Sequence, residues 1–339
     1  MRVLHYPAFD RLEIRDVDPI APAPDEVRMK VAACGICGSE LESFKNHSPR
    51  RPPPLVMGHE FCGTVVEASA EVHDWNVGAR VVSHSIVHCG RCERCNRGDT
   101  HLCAARQVFG MQRPGAFAEY VNVPARCLIP WPDALPAVSA ALAEPLANGI
   151  HVTHLVRHLP AATVLVIGAG PIGLFCQQAL QVLRGARVIV ADLSPERLEV
   201  AKTLGAARTI NPREEDVAKV VAAATSGEGA DITVDAVGAA VTKRTSLDAL
   251  RPGGGAVWIG LHENALTLDS YAITLPEKLV FGSYAATIGE LREAIDLMAA
   301  GRIETLSWVQ QFPLESGVEA FHRMLAARGA DIKAVLTPK

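Results

Sequence analysis

Three short stretches carry side chains suited to holding a reactive metal. Cys34-Gly35-Ile36-Cys37-Gly38-Ser39 offers a thiol beside a hydroxyl. Met57-Gly58-His59-Glu60 offers an imidazole beside a carboxylate, and Ala143-Glu144-Pro145-Leu146 adds another carboxylate. A soft thiolate, an imidazole and a carboxylate make a donor set of mixed softness. Three such ligands leave a fourth position open to water or substrate, as a catalytic zinc requires. Two plainer readings stand beside this one. His59 and Glu60 form a satisfied polar pair, or Cys34 and Cys37 form a C-x-x-C redox pair, although no thioredoxin-like context surrounds them. Cys34 reads better as a small buried residue, as do Cys62, Cys127 and Cys176.

A second metal pattern is separate. Cys89, Cys92, Cys95 and Cys103 follow a C-x2-C-x2-C-x7-C spacing. Four thiolates close a tetrahedral shell with no open position, so this zinc is structural and contributes folding free energy to a lobe of about residues 86–106. An iron–sulfur cluster and a nucleic-acid-binding zinc ribbon share such spacings. The mixed flanking charges Arg91, Glu93, Arg94, Arg97 and Asp99 count against the ribbon.

A nucleotide signature follows. Thr163-Val164-Leu165-Val166-Ile167 is a continuous apolar run of the kind found in a buried parallel strand. It leads into Gly168-Ala169-Gly170-Pro171-Ile172-Gly173 and then a helical stretch through Leu183. Asp192 follows at the end of the next strand, Ala186–Ala191. This is the dinucleotide fingerprint in its required setting: glycines for the turn and close packing, a helix N-terminus for the pyrophosphate, and an acid for the ribose. An acid there repels a 2′-phosphate, which favours NAD over NADP. Arg197 points the other way, since a nearby Arg accommodates that phosphate.

The elements that position these residues fall into three segments. Residues 1–150 are β-rich and irregular. Glu26–Val31 alternates as a half-buried strand, Val65-Val66 and Arg80–Val82 are further short strands, and Gly63 and Gly78 mark turns or bulges. Residues 151–284 alternate strand and helix. The later strands are expected at Ala207–Ile210, Asp231–Asp235, Ala256–Ile259 and Leu279–Phe281, and helices at Glu214–Ala224 and Val241–Leu250. Six strands suit a doubly wound parallel sheet, giving an α/β class overall. Residues 285–339 add helices at Ile288–Ala299 and Leu314–Leu325 and a strand at Lys333–Leu336. These are expected to return to the first segment.

Composition bounds the rest. The chain has 339 residues, 49% hydrophobic and 21% charged, which is ordinary for a globular protein and prompts two domains. A net charge of −4 without a basic face argues against a nucleic-acid partner. No apolar run suits a membrane span, and the N-terminus lacks a secretory pattern, so a cytoplasmic protein is expected. Nine cysteines without an export signal suit metal ligation or burial and not a disulfide framework.

Taken together, Cys37-Gly38-Ser39, Gly58-His59-Glu60, the four spaced cysteines, Glu144-Pro145-Leu146 and Gly168–Gly173 with Asp192 resemble the zinc-containing medium-chain dehydrogenase/reductase superfamily along essentially the whole chain. Glu144-Pro145-Leu146 most resembles its polyol dehydrogenase branch. The resemblance implies a GroES-like catalytic domain split by a Rossmann domain, a cleft between them, and a homodimer or homotetramer. It implies two zinc ions per chain and reversible NAD-linked oxidation of a secondary alcohol, such as a polyol, sugar alcohol or sugar-alcohol phosphate. Threonine or aldose oxidation, or a catalytically silent NAD-binding protein, are the alternatives.

By position, the resemblance makes Cys37 and His59 catalytic zinc ligands. Glu60 and Glu144 become ligands or near-ligands that exchange with water, and Ser39 or Glu60 the proton acceptor. Ile172, Asp192, Arg197, Ile259-Gly260-Leu261 and Ser283-Tyr284-Ala285 become NAD contacts. Two positions depart from it. Glu40 stands where relatives carry Asp behind the zinc-bound His. Glu42 stands where many carry a relay His, and is either a substitute or a solvated surface residue. Arg50 and Arg51, in a Pro-rich stretch, read either as a plain exposed loop or as partners for a substrate anion.

Overall fold

The computed structural model describes residues 1–327 and 329–339. The chain forms two compact units, one of Met1–Glu144 with Thr287–Lys339, the other of Pro145–Ala286.

The first unit is built on the strand Glu26–Gly35, whose side chains at Val27, Met29, Val31 and Cys34 are buried. It pairs antiparallel with Glu60–Ala68, with Tyr120–Pro124 and with the last strand, Lys333–Thr337. Sheet order runs Leu128–Pro130, Arg80–Ser83, Glu60–Ala68, Glu26–Gly35, Lys333–Thr337, Val309–Pro313. Gly63 lies where the register between the two central strands shifts, and a Cβ there would stand 2.1 Å from the Lys30 carbonyl oxygen. The residues after 286 thus supply two strands to this sheet. They also fill its core, where the rings of Phe44 and Phe321 meet edge to face at 5.3 Å.

One helix here escapes the periodicity argument. Gly38–Lys45 buries Glu40 and Ser43 alongside Phe44, so polar groups interrupt its inner face and no continuous apolar stripe announces it. Cys37 sits at its N-cap, and Glu40 in its first turn closes the cap by accepting a hydrogen bond from the Cys37 backbone N–H at 3.0 Å.

The second unit is an all-parallel sheet in the order Arg208–Ile210, Arg187–Ala191, Thr163–Ile167, Ala230–Asp235, Leu250–Trp258, Leu279–Gly282. The order reverses between the third and fourth, giving the crevice where doubly wound sheets bind nucleotides. The helix Pro171–Arg184 starts with Pro at its first position and stops at Gly185 in the left-handed conformation. A helix not expected from the pattern, Pro195–Thr203, has exposed or polar residues over most of its surface. Its start is fixed by Ser194 Oγ accepting from Arg197 N at 3.3 Å. The helix expected from Glu214 begins at Val217, because Asp216 caps it by accepting from Lys219 N at 3.1 Å. Among the described residues no helix is long and apolar enough to cross a membrane.

Candidate metal and nucleotide sites

Cys37, His59 and Glu60 converge in the first unit. One donor atom from each lies within 4.8 Å of the others. The folding reason is local. Gly58 has φ +102°, and a Cβ on it would come within 2.6 Å of Phe117 N and 2.9 Å of Cys34 Sγ, so only glycine brings this turn against its neighbours. His59 and Glu60 follow directly, the second opening the strand Glu60–Ala68.

Glu40 holds this arrangement from behind. Its Oε1 pairs with His59 Nδ1 at 2.8 Å and accepts from Gly58 N at 2.8 Å. With Nδ1 engaged, Nε2 is the ring nitrogen left for a metal, the usual carboxylate–histidine–metal arrangement. Burial works to raise the Glu40 carboxyl, but His59 beside it, with help from Arg51, brings it below its ordinary range. Burial likewise works to lower the His59 imidazole. Glu40 and Cys37 outweigh it and hold the ring well above its ordinary value.

Glu60 has a partner that the sequence pattern does not announce. Lys333, fully buried at the start of the final strand, donates to the Glu60 carboxylate and to the Ile36 carbonyl oxygen at 2.9 Å. A lysine opening an otherwise apolar strand was the available signal, since Lys is almost never buried unpaired.

Glu144, the other expected ligand, is buried in the first turn of the helix Ala143–Leu155. Ser85 Oγ donates to its Oε1 at 2.7 Å. Its oxygens are not among the donor atoms that lie mutually within 4.8 Å. Burial and the nearby Glu60 charge raise its carboxyl, against a lowering by His59 and Ser85.

Ser39 Oγ donates to Cys37 Sγ at 3.3 Å. Glu42 is half-buried on the same helix, where Asn46 Nδ2 donates to it at 2.8 Å. Arg50 is exposed, whereas Arg51 is not part of an exposed loop. It is 4% exposed and bonded to Ser39, Ser43 and Gly110. No spacing signalled this, because its partners lie on three separate segments.

The four-cysteine lobe is compact. The Sγ atoms of Cys89, Cys92, Cys95 and Cys103 lie within 4.8 Å of one another, with Cys92 to Cys95 at 3.5 Å and Cys92 to Cys103 at 3.9 Å. A two-stranded ribbon, Ile86–Val87 against Gln107–Val108, closes its base. Backbone N–H groups of Cys95 and Ala104 bring the Cys92 thiol down to about 6, towards the thiolate that a metal takes. Four sulfurs without another donor fit a closed tetrahedral shell.

In the second unit the nucleotide residues gather at the C-terminal ends of adjacent parallel strands. Gly168 has φ +99°, and a Cβ on Gly173 would stand 1.7 Å from the Gly168 carbonyl oxygen, so helix and turn touch only because Gly173 lacks one. Gly170 caps the helix, followed by half-buried Pro171 and Ile172. Asp192 Oδ2 accepts from Ala169 N at 2.7 Å and Oδ1 from Ser194 N at 2.8 Å, which fixes the carboxylate beside the glycine turn. Arg197 Nη1 reaches to 3.9 Å from the Cβ direction of Gly170. Ile259 N and Gly260 N both donate to the Asp235 carbonyl oxygen, at 3.1 and 3.0 Å, and Leu261 is exposed. Ser283 N donates to the Trp258 carbonyl oxygen at 3.0 Å, its buried hydroxyl has no hydrogen-bond partner among the described residues, Tyr284 is half-buried and Ala285 has φ 54°.

Comparison with known proteins follows the same division. Residues 23–133 match the model of the alcohol dehydrogenase GroES-like domain, and residues 171–300 that of zinc-binding dehydrogenases. The chain is similar to the D-arabitol-phosphate dehydrogenase of Enterococcus avium, at 35% identity over 336 residues, covering 97% of this chain and 95% of the relative. It is also similar to an L-threonine 3-dehydrogenase of Pyrococcus horikoshii, at 38% identity over 260 residues, covering 76% and 74%. Among solved structures, a zinc-binding dehydrogenase of Sinorhizobium meliloti bound to NADP superimposes with a TM-score of 0.91 at 32% identity over 99% of each chain. Likeness of this extent agrees with the donor chemistry: the chain belongs to the zinc-containing medium-chain dehydrogenase/reductase superfamily and is an oxidoreductase of its zinc-type alcohol dehydrogenase group.

Proposed function

We propose that the chain oxidises a secondary alcohol of a polyol or polyol phosphate to a ketone, reversibly, with NAD as the coenzyme. The observation that carries this reading is the Cys37, His59 and Glu60 donor set, with Glu40 aligning the imidazole from behind. Bound zinc supplies Lewis-acid polarisation of a substrate oxygen, and the nicotinamide supplies the hydride acceptor. Cys37 and His59 hold that metal. Glu60 stands beside it under the control of Lys333, and Glu144 is a reserve carboxylate for water. Ser39, hydrogen-bonded to the Cys37 sulfur, relays the alcohol proton, accepting it as its own proton passes on to solvent. Cys89, Cys92, Cys95 and Cys103 hold a second, structural zinc, giving two per chain.

NAD is favoured because the Asp192 carboxylate is held by two backbone N–H groups at the ribose end of the turn, where a 2′-phosphate would meet its charge. In this reading Arg197 serves the pyrophosphate side, near Gly170. Ile259–Leu261 and Ser283–Ala285 line the rest of the coenzyme path.

A homodimer or homotetramer is supported by the edge strand Leu279–Gly282, where Leu279 and Val280 are exposed along an unpaired edge. Nine cysteines, none in a disulfide, support a reducing, cytoplasmic setting.

The test is a panel of D-arabitol, D-arabitol phosphate, sorbitol and L-threonine, each with NAD and with NADP, before and after zinc chelation. Turnover of a polyol or its phosphate with NAD, lost on chelation, supports the reading. Turnover of L-threonine alone, as the second relative suggests, replaces the substrate assignment. A preference for NADP overturns the role given to Asp192.

A further inference from the structure

Arg51 is a buried cation with an unusual set of partners. It is 4% exposed, and among the described residues no carboxylate lies within ion-pair distance of it. Nε donates to the Gly110 carbonyl oxygen at 3.1 Å, Nη1 to the Ser39 carbonyl oxygen at 2.6 Å and to Ser43 Oγ at 3.1 Å, and Nη2 to Ser39 Oγ at 3.2 Å. Glu40 feels the Arg51 charge without touching it, so what fixes the guanidinium in place is its hydrogen bonds to Ser39, Ser43 and Gly110. Two of the four bonds go to one residue, Ser39.

A guanidinium only donates. Ser39 Oγ therefore accepts from Arg51, and its own proton is turned away from the guanidinium. The acceptor on its other side is Cys37 Sγ, at 3.3 Å. Ser39 is pinned a second time through its carbonyl oxygen, which takes Arg51 Nη1 and Ser43 Oγ, the latter at 2.7 Å. The remaining arm goes to the carbonyl oxygen of Gly110, which lies so close to the turn presenting His59 that a Cβ on it would stand 2.9 Å from Gly58 N. Arg51 thus spans the segments carrying Cys37, Ser39 and His59.

We propose that Arg51 is a positioning residue for the reaction: its fork occupies one lone pair of the Ser39 hydroxyl and leaves the other to accept the alcohol proton while the Ser39 proton passes on to solvent. This rests on the role given above to Ser39 in proton transfer. It assigns the Pro-rich stretch a task inside the site in place of substrate-anion binding, because the guanidinium donors are already directed at Ser39, Ser43 and Gly110.

The test is a double-mutant cycle of Ser39→Ala and Arg51→Met, with Arg51→Lys as the conservative variant, using the polyol from the panel that gives most NADH. Ser39→Ala is expected to lower kcat. Arg51→Met is expected to lower kcat by about tenfold or more, part of the roughly 10²–10⁴-fold that a positioned proton-transfer group contributes, with KM for NAD little changed. The double variant is expected to be no slower than Ser39→Ala alone, and Arg51→Lys to fall between wild type and Arg51→Met. In chelator-treated protein the losses in melting temperature from the two substitutions are expected to be less than additive, since the contact needs no metal. Multiplying losses in kcat, or an Arg51→Met protein with undiminished kcat, overturns the role of Arg51 and leaves that of Ser39 standing. An undiminished Ser39→Ala protein overturns both. Should Arg51→Met not fold, the cycle is run with Arg51→Lys under the same criteria.

Discussion

Lys333 and Glu60, 273 residues apart in sequence, form an ion pair in which both side chains are 1% exposed. The pair sits beside Cys37 and His59, so a residue from the returning segment balances charge at a site whose other members come from the first 60 residues. Burial works to lower the Lys333 ammonium, but Glu60 and Cys37 outweigh it and keep it raised, so it stays charged. Lys333→Met leaves a buried carboxylate without its partner. The expected loss of folding stability is about 3–5 kcal/mol in zinc-free protein, by denaturant titration. Adding Glu60→Gln is expected to recover part of it, because the stranded charge is then gone.

Metal content separates the two proposed zinc sites. Zinc analysis is expected to give two ions per chain for the wild type and one each for Cys37→Ser and Cys92→Ser. The two variants then differ in kind. Cys92→Ser is expected to melt at a much lower temperature, because the lobe Cys89–Cys103 has a two-stranded ribbon at its base and little core beyond it. Cys37→Ser is expected to keep most of its melting temperature and to lose turnover by about 10³-fold or more, the several kcal/mol a Lewis acid contributes.

The contact of Gly173 with the Gly168 carbonyl oxygen leaves no room for a methyl group. Gly173→Ala pushes the helix Pro171–Arg184 off the turn it caps. The expected cost is about 1–3 kcal/mol of stability. Fluorescence titration with NADH is expected to show binding weakened by tenfold or more, while the zinc content stays at the wild-type value.

Asp231 joins three neighbouring strands. It accepts from Arg251 Nε at 2.7 Å and from Thr163 N at 3.0 Å. Burial works to raise its carboxyl, but Arg251 and the Thr163 N–H hold it below its ordinary 3.8. Since the folded state binds this proton less readily than the unfolded one, the contribution is present above 3.8 and is lost as the pH falls through the lowered folded value. Asp231→Asn is expected to cost about 1 kcal/mol near neutrality, the figure reduced for partial exposure, with the gap closing in acid. Melting curves of both proteins across the acid range check this.

What the sequence made legible and what it hid divide along a physical line. Contiguous motifs carried their own context: the strand–turn–helix around Gly168–Gly173, the four-cysteine spacing and Gly58-His59-Glu60 each fold locally. The six parallel strands were readable because buried strands are continuous apolar runs. Lys333 and Arg51 were not, since each acquires meaning only from partners on distant segments. The helix Gly38–Lys45 was hidden because Glu40 and Ser43, polar groups held inside by His59 and Arg51, share its inner face with Phe44. Pattern reading assigns such residues to solvent.

The split of the first unit has a consequence in biosynthesis. Glu60 leaves the ribosome 273 residues before Lys333, a delay of roughly 15–55 s at about 5–20 residues per second. Over that interval the whole segment Pro145–Ala286 is synthesised, while the first unit lacks two strands of its sheet and Glu60 lacks its lysine. The chain's connectivity thus completes the continuous unit in synthesis before the split one.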